Sequence, residues 1–280
     1  MGAGAASATM ANVAILSAIG SSGINDVVAK IQPNAPFLNI TVIDVHTSTP
    51  TLATLETYTA LMVIGDLTFA DQKGLGDNLG NYLDDGHGLI ITALTNVNAG
   101  CFSGYQLCGN LNSWNYWAIR TGPQILNSRA TLGQIMLPND PILAGVSAGA
   151  AGFDGGSLST RIAATLGPGA ELIANWSDGT PFAARRTILN GGNQATEIAL
   201  NFFPVSSDNT TGDWVSTTQG GKIMANAFNE LAGVSGAPDA SGVPEPGTYL
   251  VVGSGLGLVA LLMRRRRTLQ CESVQRSRRP

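Results

Sequence analysis

The chain has 280 residues, of which 44% are apolar and 12% charged. That suffices for one large domain or two small ones with a sizeable core, and it excludes wholesale disorder. The net charge of −4 hides an asymmetry: residues 1–263 carry 8 Lys and Arg against 18 Asp and Glu, whereas the last 17 residues carry 7 Arg and one Glu. An acidic body without a distributed basic face argues against a nucleic-acid partner.

Residues 1–10 contain no basic residue and no long apolar run, but Ala6, Ser7 and Ala8 read as a small-residue cleavage site. We read this stretch as the remnant of a signal peptide whose start lies upstream; a flexible Ala-rich terminus explains the same residues. The folded domain is expected over 11–233. Val13 to Ser17 has the length of a buried strand, and Ile24, Val27, Val28 and Ile31 repeat at the spacing of one helix face, with Ser22 placed to cap it. Ile40 to Val45 and Ala60 to Ile64 are further strands, with a short helix over Leu52 to Tyr58 between them. A helix over Gln72 to Asp84 places Leu75, Leu79, Tyr82 and Leu83 on one face, and Leu89 to Leu94 is the fourth strand. Apolar strands alternating with amphipathic helices predict an α/β fold, a doubly wound and mainly parallel sheet covered on both faces.

After Leu94 the alternation stops. Residues 95–121 hold Phe102, Tyr105, Trp114, Tyr116 and Trp117 together with Cys101 and Cys108, and read as a long functional or packing loop. Strands follow over Leu172 to Trp176, Phe182 to Ile188 and Glu197 to Phe202, the last two joined as a hairpin around Asn190, Gly191 and Gly192. Ile223, Ala227, Phe228 and Leu231 mark a final helix face closed by Gly233. Taken together, GLIITAL after the YLDDG turn, then SDGTPFAARRT, TEIALNFFP and GGKIMANAFNELAG resemble the class I glutamine-amidotransferase-like fold. The resemblance implies a flavodoxin-like sheet over residues 11–233.

Catalytic members of that family carry a Cys nucleophile on a strand-to-helix turn, with a His and an acidic partner late in the domain. Here Cys101 and Cys108 lie in the irregular segment, Cys271 lies in the tail, and the two histidines, His46 and His87, are both early. No position inherits the nucleophile or its base, so amidotransferase activity is not expected. Gly145, Val146, Ser147, Ala148 and Gly149 match a GxSxG elbow, but that motif needs a strand before it, a helix after it and a later His. A small-residue turn is the simpler reading. In a doubly wound sheet ligands sit beyond the C-terminal strand ends. Asp44, His46, Asp66 and Asn96 occupy those ends and are the candidate ligand-binding residues. Asp44, His46 and Asp66 could also form a metal cluster, but turn chemistry accounts for them, and we assign no metal and no cofactor. The loop over Asp208 to Asp213 is rich in oxygen donors without EF-hand spacing and reads as a solvated turn. Cys101 and Cys108 are a candidate disulfide, the natural state of such a pair in an oxidising compartment.

Residues 234–247 form a Pro- and Gly-containing linker that ends in Val243, Pro244, Glu245 and Pro246. Thr248 to Met263 is an uncharged apolar run, and Arg264, Arg265, Arg266 and Arg267 follow at once. This is the layout of one C-terminal transmembrane helix with a basic cytoplasmic tail over 264–280. Tyr249 to Met263 would span roughly 22 Å as a helix, and snorkelling of Arg264 and an interfacial Tyr249 extend its reach. The order VPEP, apolar span, RRRR resembles the PEP-CTERM sorting signal of exported bacterial proteins. That resemblance implies an exosortase-type processing enzyme and the membrane as partners. It also implies an inner-membrane precursor bound for the periplasm or cell surface, with extracellular polysaccharide as a further partner class. In that family the basic cluster usually ends the chain; here 13 residues follow it.

The expected protein is an exported envelope protein with a noncatalytic domain that binds a small ligand or glycan. The alternative is a surface hydrolase acting on a sugar or peptide, through Ser147 or the strand-end acids.

Overall fold

In the computed structural model, residues 10–97, 101 and 104–234 are described. The signal-peptide remnant lies outside them except for Met10, and the linker, VPEP motif, apolar span and basic tail lie outside them from residue 235 onward. Among the described residues no helix is long and apolar enough to cross a membrane.

The chain opens with β1 (Ala11–Ala18), α1 (Ser21–Ile31), β2 (Leu38–Asp44), α2 (Leu52–Leu55), β3 (Ala60–Gly65), α3 (Gln72–Asp84) and β4 (Gly88–Thr92). It continues through α4 (Asn110–Ser113), β5 (Gln124–Ile125), β6 (Leu132–Ile135), β7 (Arg161–Ile162), β8 (Glu171–Trp176), β9 (Pro181–Asn190), β10 (Asn193–Leu200) and α5 (Gly220–Leu231). Eight strands form one sheet in the order β2-β1-β3-β4-β10-β9-β8-β6. The first five run parallel and the last three are antiparallel additions, so the sheet is mixed but mainly parallel. A separate two-stranded ribbon pairs β5 with β7.

Each element follows from local chemistry. β3 (ALMVIG) is buried along its whole length, as a strand covered on both faces must be. Asp71 caps α3 by accepting from the N–H groups of Lys73 and Gly74. Thr51 caps α2 through Thr54 N–H, but this helix stops at Leu55, short of the expected Tyr58. The β9–β10 hairpin turns on Gly191 and Gly192, both with positive φ (57° and 96°), the geometry of a tight hairpin turn that side chains disfavour.

Alternate strand residues divide the interior. Val13, Ile15, Met62 and Ile90 face α1 and α5, whereas Ala14, Leu16, Val63 and Ile91 face α2 and α3. The first layer continues under the antiparallel strands as an aromatic group in which Phe153 touches Trp176, Phe182, Phe202 and Trp214.

The segment after β4, expected to be a loop, contains α4 and packs tightly. Gly76 and Gly80 lie one turn apart on α3, where a Cβ on Gly76 would collide with the carbonyl of Cys108 and one on Gly80 with Asn110. Glycine lets the two backbones meet there. Strands β5, β6 and β7 were not predicted; they are two to four residues long, too short for a periodic signal.

Candidate functional site

β1 and β3 are parallel neighbours whose following helices cover opposite faces, α1 through Ile24, Val27 and Ile31 and α3 through Leu75, Leu79 and Tyr82. The crevice beyond their C-terminal ends is therefore the topological switch point of the sheet, the place where this architecture leaves room for a ligand.

Ser17 is the next-to-last residue of β1 and faces the α1 layer. It is 4% exposed, and its Oγ has no hydrogen-bond partner. α1 starts from Gly20 rather than from the expected Ser22, without a side-chain cap, so its first turn keeps free N–H groups beside the exposed Ser21 and Ser22. Across the crevice, the N–H of Asp66 donates to Ala18 O at 3.0 Å and that of Leu67 to the same oxygen at 2.8 Å, which locks the end of β3 against the end of β1. The Asp66 side chain is exposed.

A third wall comes from residues 204–214. Asp26 on α1 accepts from the N–H of Ser206 at 2.7 Å and from its Oγ at 2.9 Å, and Lys30 pairs with Asp208. These contacts hold the segment against α1 and bury Asp213 to 6% exposure. Burial pushes the Asp213 carboxyl up to about 7, and the charges of Asp66 and Asp26 push it the same way. The loop predicted to be a solvated turn thus delivers one of its two acids to the interior.

Of the four rim residues predicted from sequence, Asp66 alone joins this group. Asp44 is consumed by its own turn: it accepts from Thr47 Oγ1 at 2.8 Å and from the N–H groups of His46 and Thr47, bonds that hold its carboxyl below the usual range. His46 Nδ1 lies 2.6 Å from Thr68 O. Asn96 is buried and donates to Ile119 O and Arg120 O, tethering the segment after β4. Among the described residues no three His, Cys, Asp or Glu side chains are grouped to hold a metal ion. Ser17, Asp26 and Asp213 were missed. Ser17 carried a signal, as the one polar residue inside the run VAILSA; the other two needed the tertiary contacts.

Cys101 and Cys108 are joined as a disulfide with a Cα–Cα distance of 5.7 Å. The loop it closes leans on the rim, with Leu107 N–H donating to Thr95 O at 2.8 Å and Phe69 N–H to Gly104 O at 2.7 Å. Ser147 lies between short 3-10 turns at Pro141–Leu143 and Gly149–Ala151, not between a strand and a helix, and its N–H donates to Gln219 Oε1. His87 stacks on Tyr82 just before the start of β4, at the far end of the strand from the crevice. A Ser hydrolase elbow is therefore not formed. A wide surface depression of about 800 Å³ lies between Gly122 and Thr180, but Asp178, its one charged lining residue, already pairs with the buried Arg161.

No protein-family model and no curated protein matches the chain. Solved structures do resemble it. A ThuA-like protein from Bacteroides uniformis superposes with a TM-score of 0.54 at 14% identity, over 82% of this chain and 95% of that one. Cytoplasmic Protein STM3548 from Salmonella typhimurium gives 0.53 at 10% identity, over 79% and 98%. The β-galactosidase from Rahnella sp. R3 gives 0.51 at 14% identity, where 85% of this chain matches 33% of the enzyme. At such identities the likeness shows the fold alone, and the fold is ThuA-like, hence glutamine-amidotransferase-like.

Proposed function

We propose that this chain is an exported envelope protein, processed at a C-terminal PEP-CTERM-type signal by an exosortase-type enzyme. Its domain binds a small ligand or glycan in the β1–β3 crevice instead of hydrolysing glutamine. The observation that carries the sorting half is the adjacency of Val243 to Pro246, the uncharged run to Met263 and Arg264 to Arg267. The binding half is supported by the disulfide, which ties up both thiols of the domain, and by the crevice chemistry of one orphaned hydroxyl, free helix N–H groups and acids. Glutamine hydrolysis needs a thiolate with a His beside it; here the two sulfurs are bonded to each other. A Cys101–Cys108 bond also suits an oxidising compartment.

The test is fractionation and mass spectrometry of the protein from its native host. Replacing Pro244, Glu245 and Pro246 with Ala should leave full-length precursor in the inner membrane. Unchanged termini and location in that variant would sink the sorting assignment.

A further inference from the structure

We propose that the β1–β3 crevice takes a small zwitterion of the amino-acid type, with its carboxylate on the first turn of α1 and its ammonium group against Asp66. This rests on the ligand-binding reading above and narrows it to one chemical class.

α1 is eleven residues long, and Gly20, the cap residue just before it, offers no side-chain acceptor to the free N–H groups of the first turn. Those groups, with the positive end of the helix dipole, attract a carboxylate. Space is available, since a Cβ built on Gly20 would meet nothing within 4 Å. The independent sign of a ligand is Ser17. By the alternation of Val13 and Ile15 its side chain is on the α1 face of β1, three residues before Gly20; it is 4% exposed and its hydroxyl has no partner, and buried polar groups are rarely left so.

Charge selects the class. Asp66 is held against Ala18 by backbone hydrogen bonds, and the Asp213 carboxyl answers to the charges of both Asp66 and Asp26. A plain anion would therefore enter an acidic surrounding, and a plain cation would face the positive end of α1. A ligand with both charges a few ångströms apart satisfies each wall.

The test uses the full-length chain in mild detergent. The twenty amino acids are screened by thermal shift and the best is titrated calorimetrically. Propionate and propylamine are titrated as the two half-ligands, and glucose, galactose and cellobiose as neutral ligands. We expect an amino acid to bind at least about tenfold more tightly than either half-ligand. Ser17→Ala and Asp66→Asn should each weaken it about tenfold or more while the unliganded melting temperature hardly moves. Ser17→Ala removes an unpartnered hydroxyl, so the fold should tolerate it. Propionate binding as well as the amino acid, or binding unchanged in Asp66→Asn, overturns the zwitterion. A sugar that binds and is lost in Ser17→Ala, with no amino acid binding, overturns it while sparing the binding domain. No binding from any probe up to 10 mM, roughly the weakest affinity a specific site would show, overturns both.

Discussion

The sheet joins two regions built on different principles. In the parallel half, β2, β1, β3, β4 and β10, aliphatic side chains cover both faces, and four of the five strands belong to one stretch of chain that alternates strand and helix. In the antiparallel part, β9, β8 and β6, one face carries a cluster of large rings and the other mainly small contacts, where Ala184, beside Ala199 of the adjoining β10, packs against Ala118 and Ile119. The rings come from residues 153, 176, 182, 202 and 214, on separate elements and loops. The parallel half is thus assembled from near neighbours in sequence, whereas the extension depends on a few distant contacts that form together. The candidate crevice sits on the parallel half, but its third wall, with Asp213, comes from the segment that also supplies Trp214 to the aromatic cluster.

The sharpest way to break this contrast is Phe153→Ala. Phe153 is fully buried at the centre of the cluster, so its truncation should cost about 3–5 kcal/mol, against about 1 kcal/mol for Ile15→Val in the parallel half. Urea unfolding of the two variants measures both. A Phe153→Ala cost below that of Ile15→Val would mean that the rings do not anchor the extension.

Next in size is the disulfide, which pins the segment between the two regions. Replacing Cys101 and Cys108 with Ser should cost about 2–3 kcal/mol by the loop-entropy account. Reductant should lower the urea midpoint of the parent and leave the double variant unmoved. Equal midpoints for parent and variant would show that the bridge adds nothing.

The smallest effect, taken per pH unit, comes from Glu197, in the middle of β10 where the regions meet. It is wholly buried; one carboxylate oxygen accepts from Ala118 N–H and the other has no partner. Burial pushes its carboxyl up to about 8, while the Ala118 hydrogen bond and the charge of Arg186 pull it back. The folded protein therefore keeps this proton to about pH 8, whereas the unfolded chain releases it near the ordinary value of 4.5. Between those values the folded state holds more protons, so stability falls as pH rises, by at most about 1.4 kcal/mol per pH unit. Glu197→Gln should flatten that slope; an unchanged slope would place the titrating group elsewhere.

Much of the parallel half was legible in the sequence because its signals are local. The run at Val13–Ser17, the helix face of Leu75, Leu79 and Tyr82 and the Gly191–Gly192 turn each encode their element within a dozen residues. The candidate site was legible only in part: Asp66 stands at a strand end, which the alternation of strand and helix already implies. Asp44 was ambiguous because an acid at a strand end reads the same whether it faces a ligand or caps its own turn, and in the structure it accepts from Thr47 and His46 of that turn. The order in which strands pair, the placement of β6 at the sheet edge and the burial of Asp213 and Glu197 were decided by tertiary structure. They depend on residues far apart in sequence meeting at one place, and desolvation acts on a carboxyl only once those residues have closed around it.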